Sequence, residues 1–191
     1  MNRELKDILN KVNTKKIIGN PNLNIHQIQF DSRKVEQSDV FVAVKGTQVD
    51  GHRFIPKAIA QGASVIVAEE LPDGLEENIT YLQVENSAEV LGQMAANYYG
   101  NPSQKLKLVG ITGTNGKTTT VNLLYDLFTA LGYKTGLLST IQNKVGTQIL
   151  EATHTTPDAV QLNRVLAEIV EAGCDYAFME VSSHAIHQRR I

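Results

Sequence analysis

An α/β architecture with a mainly parallel sheet is predicted by three features of this 191-residue chain. Short apolar runs recur between amphipathic helical segments, and that alternation winds helices onto a parallel sheet. One such run, Leu108-Val109-Gly110-Ile111, leads straight into a glycine loop ending Gly116-Lys117-Thr118. A helical pattern follows the loop, which completes the strand, glycine loop and helix order of a phosphate-binding loop.

Composition narrows the class. Hydrophobic residues make up 42% and charged residues 20%, an ordinary soluble balance. A net charge of -2 gives no reason to expect nucleic acid or an anionic membrane. No apolar run approaches the roughly 18 residues of a membrane span. The opening MNRELKDILNKV is amphipathic and charged, unlike a secretory signal. The single Cys174 forms no internal disulfide, suits a reducing cytoplasm and reads as a packed thiol.

Taken in order, residues 3–12 read as a helix with Leu5, Ile8, Leu9 and Val12 on one face. Ile25–Phe30 reads as a strand running into the polar turn Asp31-Ser32-Arg33. Val40–Val44, Ser64–Ala68 and Tyr81–Val84 read as buried strands, and the first is followed by a turn-rich loop, Lys45–His52. A helix is expected at 53–61, and another, capped by Ser87, runs to about Tyr99. Gly100-Asn101-Pro102-Ser103 breaks that helix and divides the chain into domains 1–101 and 102–191. The second holds the phosphate loop and a helix to about Leu131, with Val121, Leu123, Leu124, Leu127, Phe128 and Leu131 expected inward. A strand at 134–139, a hairpin at 142–150 turning at Gly146, a helix at 157–171 and a strand at 176–181 follow. This second unit falls short of the roughly 150 residues that a nucleotide-binding sheet needs to cover both faces, so a truncated domain is expected.

The loop carries the clearest chemistry. Gly113 and Gly116 allow a tight turn that brings backbone N–H groups to an anion. The helix start adds partial positive charge there. Lys117 can reach terminal phosphates, and the Thr118 hydroxyl can ligate magnesium. The spacing departs from the generic pattern: Ile111 stands where the first glycine is usual, with Gly110 and Gly113 on either side. The bland alternative is a ligand-free strand-to-helix turn.

Other candidates lie at element ends. Ligands of open α/β sheets sit beyond the carboxyl ends of strands, where Glu180 lies. It reads either as a magnesium ligand or as half of a surface ion pair. His184 reads as a metal ligand, a phosphate partner or a loop histidine bonded to backbone. Ser182 and Ser183 can donate to a substrate or cap a helix. Thr156 and Pro157 suit a helix start; the doubled Thr155-Thr156 reads either as purely structural or as hydroxyls and amides that hold an anionic substrate. Gln188 and Arg190 are polar; Arg190 can grip a carboxylate or phosphate or stay solvated.

With these residues in view, the chain resembles the Mur ligases, the ATP-dependent ligases of peptidoglycan precursor synthesis. GTNGKTT at Gly113–Thr119 has that family's form of the phosphate loop, unusual spacing included. The segment from Asp31 to Ala63 is similar to the family's UDP-sugar-binding N-terminal domain. TTPD at Thr155–Asp158 and MEVSSHAIHQRR at Met179–Arg190 resemble the branch that makes the tripeptide precursor. The resemblance implies a small α/β UDP-sugar-binding domain, then the first part of a P-loop ATPase domain. It assigns Gly113, Thr114, Asn115, Gly116, Lys117, Thr118 and Thr119 to ATP. It assigns Phe30, Ser32, Thr47, Gln48 and Val49 to the UDP end of the precursor. His154, Thr155, Thr156, Ser182, Gln188 and Arg190 go to its muramoyl-dipeptide end. Thr118, Glu180 and His184 would hold Mg2+, and Lys117, Glu180 and His184 would carry the catalysis.

The implied reaction joins a diamino acid, meso-diaminopimelate ahead of L-lysine, to the D-glutamate of UDP-N-acetylmuramoyl-L-alanyl-D-glutamate through an acyl phosphate. A cytoplasmic monomer with no nucleic acid partner is expected, and the fragment alone is expected to be inactive. Two alternatives stand beside this reading: another Mur-type ligase, and a UDP-sugar-binding module without turnover.

Overall fold

The apolar runs at residues 40–42, 65–68 and 176–180 become strands buried on both faces, as a parallel sheet covered by helices demands, whereas the run at 108–111 lies half-exposed at a sheet edge. In this computed structural model, which describes residues 2–46, 49–146, 148–151, 157–189 and 191, the chain falls into two units, Met1–Tyr98 and Tyr99–Ile191.

The first unit runs β1 (Arg3–Glu4), α1 (Leu5–Ile8), β2 (Lys16–Ile18), β3 (Asn24–Ile25), β4 (Ile28–Gln29), β5 (Val40–Val42), α2 (Ile55–Ala60), β6 (Val65–Ala68), β7 (Thr80–Gln83) and α3 (Ser87–Tyr98). Its sheet has the order β2-β7-β6-β5-β4. Strands β4 to β7 are parallel and β2 closes one edge antiparallel. Phe41, Ile66 and Tyr81 pack with Ile55 and Ala58 of α2 on one face. Their neighbours Val40, Val42, Val65, Val67 and Leu82 alternate to the other face and are also fully buried. Helix α3 lies against α1, and the Asn97 side chain donates to the carbonyls of Ile8 and Asn10.

Three expectations are corrected here. The helix at 3–12 shrinks to α1, because Arg3–Glu4 pairs with Asn24–Ile25 and Lys11 turns into the left-handed region. The strand at 25–30 is two short pieces, β3 and β4, that serve different partners. Ser87 is not the cap of α3: Asn86 accepts from the Glu89 N–H, while the Ser87 amide and hydroxyl donate to Glu69.

The second unit runs β8 (Lys107–Ile111), α4 (Lys117–Ala130), β9 (Thr135–Leu138), β10 (Gln142–Val145), β11 (Gln148–Glu151), α5 (Ala159–Glu171), β12 (Tyr176–Glu180) and α6 (Ser183–His187). The sheet order is β11-β10-β9-β12-β8. Strands β9, β12 and β8 are parallel, and the β10–β11 hairpin turns at Gly146 with φ of 56°. Helix α5 buries Leu162, Val165, Leu166 and Ile169 against Leu138, Ala177 and Met179. Helix α4 packs Val121 and Tyr125 on Leu137 and Phe178. The alternating side chains of β9 and β12 thus serve one helix on each face.

Two further corrections fall in this unit. Leu123, Leu127 and Leu131 do not face the sheet; they are 63%, 53% and 63% exposed. Val121 and Tyr125 take that face instead, and the Tyr125 hydroxyl donates to the Gly146 carbonyl. The cap of α5 is Asp158, whose carboxylate accepts from the Val160 and Gln161 amides, a charge suited to a helix start. Cys174 is buried in the α5 core, and burial pushes its thiol up, away from a nucleophile's range.

Candidate functional site

Parallel pairing brings the carboxyl ends of β8, β9 and β12 to one edge of the second sheet. Ile111 pairs with Glu180, and Leu138 pairs with Met179. Loops 112–116 and 139–141 therefore flank the acid at the end of β12.

The phosphate loop is exposed from Thr112 to Gly116. Gly113 has φ of 147° and Gly116 has φ of 81°, values that a side chain would strain. Gly116 stands at the N-cap of α4 and brings no capping side chain, which leaves the first amides of the helix for a ligand. The Lys117 ammonium donates back to the Gly113 carbonyl at 2.6 Å. Its reach therefore covers the rim of the loop.

Glu180 is 1% exposed, so the surface ion-pair reading is set aside. Its Oε2 accepts from the Thr118 hydroxyl at 3.1 Å. Its Oε1 accepts from the Thr140 N–H at 2.9 Å, and Oε2 also accepts from the Thr140 hydroxyl at 3.1 Å. These donors satisfy the oxygens of the buried carboxyl group, as a polar group taken out of water requires. The structure thus joins two sequence candidates, Thr118 and Glu180, and adds Thr140. Nothing local in Ser139-Thr140-Ile141 marks Thr140; the signal is the strand order, which a single sequence does not display.

The donor set suits magnesium. A hydroxyl and a carboxylate are hard oxygen ligands, and this ion completes its shell with phosphate oxygens and water. Among the described residues no three His, Cys, Asp or Glu side chains gather into an all-protein cage. His184 lies exposed on α6, and no hydrogen bond joins it to Thr118 or Glu180 among the described residues. The Ser182 hydroxyl accepts from the Ala185 N–H and caps α6. Gln188 follows that helix, its amide donating to the His184 carbonyl.

In the first unit, Phe30 and Ser32 follow β4, and Val49 follows β5, so all three lie beyond carboxyl ends of parallel strands. Phe30 and Val49 are exposed, and Ser32 is buried at the start of a single 3-10 turn, Ser32–Lys34. Asp31 caps that turn and grips Arg33 through three hydrogen bonds of 2.8–3.2 Å. The guanidinium holds the Asp31 carboxyl down at about 2. His52 accepts from the Glu69 N–H at Nε2 and therefore donates from Nδ1 to Asp50. Thr47, Gln48, His154, Thr155, Thr156 and Arg190 lie outside the described residues.

Among the described residues no helix is long and apolar enough to cross a membrane. Two family descriptions match the chain: "Mur ligase family, catalytic domain" over residues 24–99 and "Mur ligase middle domain" over residues 111–191. Similar curated proteins include the UDP-N-acetylmuramoyl-L-alanyl-D-glutamate–2,6-diaminopimelate ligases of Cytophaga hutchinsonii, 55% identical over 190 residues, and Bacteroides fragilis, 50% identical over 188. Each alignment covers 98% of this chain and 39% of the relative, so the chain spans about two fifths of their length. A solved ligase of the same name superposes with a TM-score of 0.78 at 25% identity, covering 100% of this chain and 38% of its own. The MurF ligase of Thermotoga maritima in complex with ADP superposes at 0.55 with 28% identity, covering 82% of this chain and 32% of its own.

Proposed function

The chain belongs to the Mur ligase family, and from that premise we propose that it is the UDP-precursor-binding and ATP-binding part of a diaminopimelate-adding ligase. The substrates are UDP-N-acetylmuramoyl-L-alanyl-D-glutamate, ATP and meso-diaminopimelate, in the cytoplasm. The observation that carries the reading is the contact between Thr118 of the phosphate loop and the buried Glu180. A glycine turn without a ligand has no need of a buried carboxylate at its Lys-Thr.

In this reading the amides of residues 113–119 and the Lys117 ammonium hold the β- and γ-phosphates. Thr118 and Glu180 would hold magnesium, with His184 contributing from α6. When bound, that ion neutralises charge on the phosphates and lowers their repulsion for an incoming carboxylate. The D-glutamyl carboxylate attacks the γ-phosphorus, giving an acyl phosphate and ADP. The amine of the diamino acid then attacks the acyl carbon, phosphate leaves, and the amine proton passes to solvent. Lys117 follows the charge that develops on the transferred group. Phe30, Ser32 and the 47–49 loop take the uridine end. His154, Thr155, Thr156, Ser182, Gln188 and Arg190 take the muramoyl-dipeptide end.

The names of the relatives favour diaminopimelate over L-lysine. An activation assay on the full-length protein tests this. ADP release should require the UDP precursor and should be faster with meso-diaminopimelate than with L-lysine. Release that ignores the UDP precursor refutes the assignment.

A further inference from the structure

Glu180 is gripped from two sides that differ in what they must do when a cation arrives. On one side, the Thr118 hydroxyl spends its single proton on Oε2. To ligate a cation, that oxygen must turn a lone pair toward it, and its bond to Glu180 changes. On the other side, Thr140 donates its amide to Oε1 and its hydroxyl to Oε2. Neither group is asked to ligate anything.

The backbone around Thr140 is built to hold that position. Leu138, the last residue of β9, pairs with Met179, so the chain leaving β9 passes beside Glu180. Ser139 is 1% exposed. Its hydroxyl donates to the Gln142 carbonyl at 2.8 Å and accepts from the Gln142 N–H at 3.2 Å, while its own amide donates to the same carbonyl. That closed turn fixes the peptide that carries the Thr140 amide. Two donors to two different oxygens set both the position and the rotation of the carboxylate plane.

We propose that Thr140 is a positioning residue that presents the Glu180 carboxylate to the divalent cation at the phosphate loop. The inference rests on the reading of Thr118 and Glu180 as cation ligands. Partners that orient a metal ligand are worth about 10–100-fold in metal affinity. A purely structural Thr140 would instead affect stability alone.

The test is ADP binding to the full-length protein, followed by calorimetry across a Mg2+ titration and again in chelator, for wild type, Thr140→Val, Thr140→Ser and Glu180→Gln. In Thr140→Val, half-maximal Mg2+ enhancement of ADP binding should need about 10–100-fold more Mg2+, with ADP affinity in chelator unchanged. Thr140→Ser, which keeps the hydroxyl, should return to near wild type. The double variant Thr140→Val, Glu180→Gln should need no more Mg2+ than Glu180→Gln alone, because Thr140 acts through that carboxylate. Wild-type Mg2+ dependence in Thr140→Val, with Glu180→Gln impaired, overturns the positioning role and leaves the cation site standing. Wild-type dependence in Glu180→Gln removes the cation site and this inference together. Equal weakening with and without Mg2+ in Thr140→Val also overturns it, since that is the mark of lost local structure.

Discussion

Glu180 offers a perturbation in which fold and function should separate. Truncation in Glu180→Ala leaves the Thr140 N–H without its acceptor, removing a part-buried bond to a side chain that is itself 1% exposed. A donor left without its acceptor costs about 1–3 kcal/mol, and the one lost buried methylene adds about 0.8 kcal/mol. Destabilisation of about 3 kcal/mol is therefore expected. Glu180→Gln keeps the shape and one carbonyl oxygen for the Thr140 amide. Its new NH2 meets the hydroxyls of Thr118 and Thr140, which can rotate to accept. Only the charge assistance is lost, about 1 kcal/mol. Function should follow the opposite ranking of concern: without the negative charge the cation loses its carboxylate, and ADP formation should fall by about 10²–10³-fold even in the stable variant. Urea unfolding and precursor-dependent ADP release on the full-length protein measure the two effects. A Glu180→Gln enzyme with turnover within tenfold of wild type refutes the role of the carboxylate. A Glu180→Gln protein as unstable as Glu180→Ala refutes the accounting of its donors.

Lys117→Ala should leave stability within about 0.5 kcal/mol, because among the described residues its ammonium hydrogen-bonds only the carbonyls of its own loop; ADP formation should vanish, and wild-type turnover would end the phosphate-loop assignment. The Asp31 carboxyl should titrate at about 2, against the usual 3.8, in a carbon-13 NMR titration, and Arg33→Gln should move it back up. A folded-state pKa below the unfolded one means that the pair stabilises above about pH 4 and that this is lost as pH falls toward 2. Because Arg33 is largely exposed, solvent screens the pair and its effect on unfolding should be small. Gly136→Ala places a methyl 2.6 Å from Ile169 Cδ1 and 2.8 Å from Cγ2 in a fully buried site. It should lower stability by about 1–3 kcal/mol. Adding Ile169→Val, which removes Cδ1, should recover part of that loss in urea midpoints.

What the sequence discloses about this fold divides by the range of the interaction involved. Val40–Val42 and Val65–Ala68 announce themselves because a strand buried on both faces must be apolar at every position, whereas Leu108–Ile111 is equally apolar yet lies half-exposed at a sheet edge. The β1 and β2 strands do not announce themselves: Arg3–Glu4 and Lys16–Ile18 are two and three residues long, too short to carry a pattern. Helix α4 shows the limit of periodicity. Val121 and Tyr125 define one apolar stripe, and Leu123, Leu127 and Leu131 define another. A repeat of 3.6 says that both exist without saying which one meets the sheet. Caps slipped by a residue or two where several competent side chains adjoin, as at Asn86-Ser87 and at Thr156 and Asp158.

The site divides in the same way. Lys117 and Thr118 belong to a motif contained in one turn of chain, and Glu180 is marked by its place at a strand end. Thr140 is separated from Glu180 by 40 positions and meets it only because β9 and β8 flank β12 in parallel register. Pairing of that kind is chosen by the burial of whole strand faces, so no residue near Thr140 can advertise it. The part of the site that binds phosphate is therefore local and legible, whereas the part that orients the acid is a consequence of strand order. A substitution that slips β9 by one residue relative to β12 should cost Mg2+ dependence while leaving the loop motif intact.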